Sequence, residues 1–170
     1  MKQLMMCSIS LLVVASCVRE KAVDNYETSS LVKVGDEVPD FSLTRDGTTI
    51  SKQSLAGKKT LLVLFSTTCG DCRLVLPTVE EAWKELREDP EVLVATISRE
   101  ETAEAVSAYW SEAGFTMPYY LDVDREVFKK FATAYTPRVY LVDARQRVVE
   151  MHVETLEISA DELCRRVRAL

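Results

Sequence analysis

The chain has 170 residues, 47% of them hydrophobic and 28% charged, which places it among globular proteins and leaves room for one core-forming domain. Its 21 Lys and Arg stand against 27 Asp and Glu, a formal charge of -6 with no basic stripe. Such a field repels nucleic acid, and a nucleic-acid partner is excluded on that ground.

Lys2 is the only charge in the first sixteen residues, and the apolar run Leu11-Leu12-Val13-Val14-Ala15 that follows it ends in small residues. This is the shape of a secretory signal. The run falls short of the about 20 apolar residues that span a bilayer, and charge resumes at Arg19 and Glu20. The junction Val14-Ala15-Ser16-Cys17 resembles the lipobox of bacterial lipoproteins, which implies cleavage before Cys17 and acylation of that residue. The expected organisation is therefore a signal peptide over residues 1–16, a lipidated Cys17 with a flexible tether to residue 33, and a folded domain over residues 34–170. Residues 18–33 are polar, of mixed charge and without a helical stripe, as a tether would be. The protein is expected in the cell envelope or periplasm, held to a membrane by its lipid.

Arg45-Asp46-Gly47 between two short extended runs predicts an N-terminal β-hairpin. Leu61-Leu62-Val63-Leu64-Phe65 is short and continuously apolar, the signature of a central strand covered on both faces. From Gly70 to about Arg87, Val75, Val79, Ala82, Trp83 and Leu86 form the stripe of an amphipathic helix, which Pro77 is expected to kink. Val92 to Ile97 reads as a second buried strand. Ser98 with Glu101 reads as a capping box for a helix that carries Val106, Tyr109, Trp110 and Ala113 and stops at Gly114.

Asp124 is expected to cap a short helix bearing Val127, Phe128 and Phe131. Val139–Val142 and Val148–Val153 read as paired strands, and a last helix with the Ser159/Glu162 capping box buries Leu163, Val167 and Leu170. Strands alternating with helices, then a hairpin and a helix, predict an α/β fold with a mixed central sheet.

Of five cysteines, Cys7 falls in the signal and Cys17 at the lipid site, which leaves Cys164 and the close pair Cys69 and Cys72. A domain of this size needs no disulfide staple, so the pair reads as catalytic or metal-binding. Cys69-Gly70-Asp71-Cys72 lies where a buried strand gives way to a helix. There the unpaired N–H groups and the positive end of the helix dipole favour a thiolate on the first sulfur. A second thiol about one turn on can attack the mixed disulfide and release the product, so Cys69 is expected as nucleophile and Cys72 as resolver. Asp71 opposes the thiolate and Arg73 favours it, which points to a modest potential and to a reductant or isomerase.

Residues 34–170 resemble the thioredoxin-like thiol-disulfide oxidoreductases of the bacterial envelope, the TlpA and ResA group. The matching segments are Gly35-Asp36-Glu37-Val38-Pro39-Asp40-Phe41-Ser42-Leu43, Leu55-Ala56-Gly57-Lys58, the Cys69-Gly70-Asp71-Cys72 motif and Pro77 in the helix after it. Thr136-Pro137, followed by Arg138-Val139-Tyr140-Leu141-Val142-Asp143, is similar to the loop in which this superfamily places a cis-proline opposite the dithiol. The resemblance implies that the Thr136 backbone pairs with an extended substrate segment. It further implies protein disulfides or dithiols as substrates, an electron donor in the envelope, and no cofactor or metal beyond the redox-active Cys69–Cys72 disulfide. Departures stand beside the matches. Thr68 replaces an aromatic before the first Cys, Asp71 replaces the common Pro, Val63 occupies the place of the buried Asp of ordinary thioredoxins, and Val75 that of a Glu in the ResA group.

Three rival readings use the same residues. A peroxiredoxin-like thiol peroxidase would exploit Ser66, three before Cys69, although Leu62 replaces that motif's Pro. A non-catalytic binding lipoprotein would keep the fold with an inert pair. A metal site could draw on Cys69, Cys72, Cys164 and His152, or on the two motif thiolates alone for copper(I). Cys164 reads as a small buried hydrophobe, His152 as a half-buried strand residue, and Glu100-Glu101-Glu104 as a solvated face.

Overall fold

In the computed structural model, which describes residues 25–170, helical residues 25–29 precede a chain order that opens with β1 (Ser42–Arg45), β2 (Thr48–Ser51) and α1 (Lys52–Leu55). It continues through β3 (Lys59–Phe65), α2 (Gly70–Leu86), β4 (Val92–Arg99), α3 (Ala103–Ala113) and β5 (Tyr119–Asp122), and closes with α4 (Phe128–Phe131), β6 (Arg138–Val142), β7 (Val148–Val153) and α5 (Ala160–Arg168). The expected signal peptide of residues 1–16 and the expected lipid site Cys17 lie outside the described residues.

The hairpin forms as its Asp-Gly turn dictates, with Asp46 at φ 50° and Gly47 at φ 77°, the two positive values a tight primed turn requires. A five-stranded sheet in the order β5-β4-β3-β6-β7 forms the centre. β3 runs parallel to β4 and antiparallel to β6, so the sheet is mixed, as expected. The apolar run in β3 divides by pleat. Leu61, Val63 and Phe65 pack under α2, α3 and α5, while Leu62 and Leu64 pack on the opposite face with Phe41, Ile50, Phe128 and Phe131. Burial on both faces explains why no polar residue interrupts Leu61–Phe65.

Some local features differ from expectation. β5, a four-residue edge strand on β4, is not anticipated by the sequence pattern. The short α4 is held by the buried Asp122, whose carboxylate accepts from the Val127 and Phe128 N–H groups at 2.9 and 2.6 Å; Asp124 accepts from the Glu126 N–H, ahead of the helix. Asp122 wins because it ends a buried strand directly beneath the helix start.

The expected tether is a packed part of the fold from residue 25. Ser30 bridges Ala132, the Leu31 and Val32 N–H groups both donate to the Phe131 carbonyl at 3.0 Å, and Val32 is buried. Its polar residues mislead because Ser29 and Ser30 bury their hydroxyls against a cation supplied more than a hundred residues later.

Glu80, buried on α2, ties that helix to the loop before β5. Its carboxylate accepts from the Thr116 N–H at 3.0 Å, the Thr116 hydroxyl at 2.7 Å and the Met117 N–H at 2.9 Å, with Lys84 at 3.2 Å. Burial alone would raise its pKa, but these bonds outweigh burial and hold the carboxyl below the ordinary 4.5. A folded value below the unfolded one means that the stabilisation is complete above about pH 4.5 and is lost as pH falls through the folded value. Glu80→Ala, which orphans the buried Met117 N–H and the part-buried Thr116 N–H, is expected to cost about 3 kcal/mol at neutral pH. Urea melts from pH 7 to pH 3 should show the gap between wild type and variant closing on the acid side.

Candidate active site at the head of α2

β3 delivers the chain to the loop Ser66-Thr67-Thr68, and Cys69 then caps α2 with extended backbone at φ -83°, ψ 124°. Its Sγ accepts from the Cys72 N–H at 3.3 Å and donates to the Thr136 carbonyl at 3.1 Å. The sulfur thus sits between the first turn of a helix and the loop before β6. Both thiols are free, but they are not equivalent. Cys69 is half-buried, whereas Cys72 is fully buried with the Ser66 N–H 3.4 Å from its sulfur. Burial pushes the Cys72 thiol far up, more than that N–H pulls it down.

Thr136 and Pro137 are both buried, and the peptide bond between them is cis. The resemblance implies a proline loop opposite the dithiol; here the Thr136 carbonyl lies 3.1 Å from the Cys69 sulfur. Gly70 and Asp71 are exposed in the first turn, and Pro77 lies inside α2, where it supplies no N–H to the helix. Arg73 turns its Nε to the Thr67 carbonyl at 3.0 Å and lays its guanidinium 5.2 Å from the Tyr109 ring centre.

The carboxylate that holds the loop ahead of the motif is one that local spacing assigns elsewhere. Glu101 accepts from the Thr67 N–H at 2.9 and 3.0 Å, from the Thr67 hydroxyl at 2.5 Å and from the Ser66 hydroxyl at 3.3 Å. Ser98, its expected capping partner, is buried at the end of β4; Thr102 caps α3, its hydroxyl accepting from the Ala105 N–H at 3.3 Å. Glu101 therefore fixes the loop that presents Cys69, and Ser66 links it to Cys72 through one residue. The Thr immediately before the helical stripe was a usable signal for the cap, but nothing local pointed from Glu101 to residues 66 and 67.

The opposite wall is held by a buried cation. Arg138, 0% exposed, donates to the Ala134 carbonyl at 2.8 Å, the Tyr135 carbonyl at 3.2 Å, and the Ser30 and Ser29 hydroxyls at 2.8 and 2.9 Å. Tyr26 packs edge-on against Tyr135 with ring centres 5.2 Å apart, and its hydroxyl donates to Glu154. That bond, more than burial, holds the Tyr26 phenol up at about 12.

The other candidate ligands do not meet the pair. Cys164 is buried with its Sγ 3.7 Å from the Ala82 carbonyl, and its thiol is pushed by burial to about 11. His152 pairs with Glu150 on β7. Among the described residues no group of three or more His, Cys, Asp or Glu is placed to hold a metal ion.

A mixed sheet with a Cys-x-x-Cys pair at a helix head, facing a buried X-Pro loop, defines a thioredoxin-like dithiol protein. The chain belongs to the redoxin family, whose profile matches residues 33–163. It is 30% identical over 137 residues to the thioredoxin-like protein YneN of Bacillus subtilis, covering 77% of this chain and 80% of that one. It is 26% identical over 149 residues to the thiol-disulfide oxidoreductase ResA of Oceanobacillus iheyensis, covering 85% of this chain and 77% of the relative. These relatives bear out the resemblance to the TlpA and ResA type. A solution structure from Bacteroides thetaiotaomicron, assigned provisionally as a protein disulfide isomerase, superposes with a TM-score of 0.74 at 29% identity, covering 83% of this chain and 89% of the other. A secreted disulfide oxidoreductase of Mycobacterium tuberculosis shares the fold, with a TM-score of 0.64 at 21% identity over 76% of this chain and 96% of that one.

Proposed function

We propose that the protein is a thiol-disulfide oxidoreductase of the cell envelope that reduces or exchanges disulfides of protein substrates through Cys69 and Cys72. The observation that carries this reading is the asymmetric pair: a reachable Cys69 sulfur aligned with the Cys72 N–H and the Thr136 carbonyl, and a buried Cys72 one turn behind it. In the reductive direction the Cys69 thiolate attacks one sulfur of a substrate disulfide, and the other leaves as a thiol after taking up a proton. Cys72 then attacks Cys69 Sγ; the Cys69–substrate bond breaks, the Cys72 proton ends on the departing sulfur, and the Cys69–Cys72 disulfide remains. The substrate gains two electrons and the protein loses two, to be restored by an envelope dithiol donor. The Thr136 backbone is the pairing edge for the extended substrate segment. Cys17, with the signal of residues 1–16 removed, would carry the lipid that holds the domain at the membrane.

Two features favour a reducing role. Asp71 lies in the first turn, and the nearest motif cation, Arg73, is engaged with Thr67 and Tyr109 rather than turned to the sulfur. The Cys69/Cys72 potential is therefore expected nearer the about -270 mV of thioredoxin than the about -120 mV of DsbA. Equilibration of the protein with glutathione and dithiothreitol buffers, beside an insulin-reduction assay, tests both parts. A couple that never forms the intramolecular disulfide would send the reading back to an inert scaffold or a peroxidase.

A further inference from the structure

Resting on that oxidoreductase reading, we infer that Tyr26, contributed by the segment ahead of the domain, is a specificity-determining residue that, with Tyr135, binds an apolar side chain flanking the substrate's cysteine. The position follows from a closed circuit of contacts. Cys69 Sγ meets the Thr136 carbonyl at 3.1 Å, Thr136 follows Tyr135, and the Tyr135 ring receives the Tyr26 ring edge-on at 88° and 5.2 Å. The Tyr26 hydroxyl returns to Glu154, whose N–H donates to the Pro137 carbonyl at 2.8 Å. A chain whose cysteine has joined Cys69 and whose backbone lies along Thr136 must therefore run past these two rings.

Both rings are half-exposed, although the backbone on either side of them is buried or hydrogen-bonded in place. Ser29 and Ser30 fix the Tyr26 side of the pair through Arg138, and the same guanidinium fixes the Tyr135 side. Rigid, partly wet tyrosines make efficient contact surfaces because little side-chain entropy is lost when a partner lands on them. Tyr26 also walls a groove of about 400 Å³ with Glu27, Ser30, Lys33, Val34 and Met151, room for a further side chain of an extended polypeptide. Thr68 leaves the motif's own flank without an aromatic, and this pair supplies one from a different part of the chain.

The test compares a protein disulfide, insulin, with a small one, oxidised glutathione, on the full-length protein, with the Cys69/Cys72 potential measured alongside. Tyr26→Ala is expected to raise KM for insulin about fivefold, the scale of one aromatic contact, with kcat changed little and a less than twofold effect with glutathione disulfide. Tyr26→Phe, which keeps the ring and loses the bond to Glu154, should stay within about twofold of wild type. Tyr135→Asn removes the partner ring at a φ of 65°, a conformation Asn adopts readily, and should reproduce the KM split if Tyr26→Ala folds poorly. An unchanged insulin KM in both variants, or an equal loss with both substrates together with a shifted potential, would overturn the inference and leave the pair a structural brace. Wild-type protein that turned over neither disulfide would instead remove the oxidoreductase reading on which the inference stands.

Discussion

A Cys72→Ala variant incubated with a protein disulfide accumulates a covalent adduct through Cys69, and its turnover falls on the order of 100-fold or more. The reason is geometric. Cys72 lies one helical turn from Cys69 with its N–H on the Cys69 sulfur, so its attack on the mixed disulfide is intramolecular and enjoys a high effective concentration. Without it, release waits for a thiol from solution. Cys69 is the attacking member because Cys72 is fully buried and its thiol is pushed far up by that burial. Intact mass spectrometry should find one substrate chain per protein in Cys72→Ala, released by dithiothreitol, and none in Cys69→Ser. Adduct in Cys69→Ser, or full turnover without Cys72, would sink the two-thiol mechanism.

The second large effect is expected at Arg138. Its guanidinium is 0% exposed and among the described residues has no carboxylate at ion-pair distance; backbone carbonyls and two serine hydroxyls satisfy it instead. Arg138→Leu removes a costly buried charge but strands the Ala134 and Tyr135 carbonyls and takes from the Ser29 and Ser30 hydroxyls the donor they accept from, leaving those hydroxyls only their bonds to the Tyr26 carbonyl. The net loss is expected at about 3 kcal/mol, or about 10 °C in Tm. Arg138→Lys should recover little, since one ammonium cannot reach both the carbonyls and the serines that the planar fork spans. Thermal melts by circular dichroism check both variants, and a near-native Arg138→Lys would show that charge rather than geometry matters there.

Arg138 also shows where sequence reading stops. The hairpin turn at Asp46-Gly47, the apolar run of β3, the stripe of α2 and the Cys69–Cys72 spacing are written in residues a few places apart, so period and turn chemistry suffice to find them. What holds the active-site loops is not. Glu101 reaches back 34 residues to Thr67, Glu80 reaches 36 forward to Thr116, and Arg138 reaches 108 back to Ser30. Each looks local in the sequence. Glu101 sits in an acidic run that reads as a solvated face, Ser29 and Ser30 read as tether, and Arg138 falls just ahead of the expected strand Val139–Val142. Their roles emerge only when the sheet brings the ends of β3, β4 and β6 together. The cap of α4 fails for the same reason, because Asp122 belongs to a strand too short to announce itself.

The early docking of the chain, from residue 25, would set a working height for the dithiol if Cys17 carries the proposed lipid. Nine steps separate Cys17 from Tyr26, and a fully stretched chain covers at most about 3.5 Å per step, or about 30 Å in all. With Cys17 as the proposed lipid site, the Tyr26–Tyr135 wall beside Cys69 would be leashed within about that distance of the bilayer surface. A long flexible arm would let the domain sample the whole compartment; a leash this short, from the proposed lipid site, would confine its encounters to disulfides presented at the membrane face.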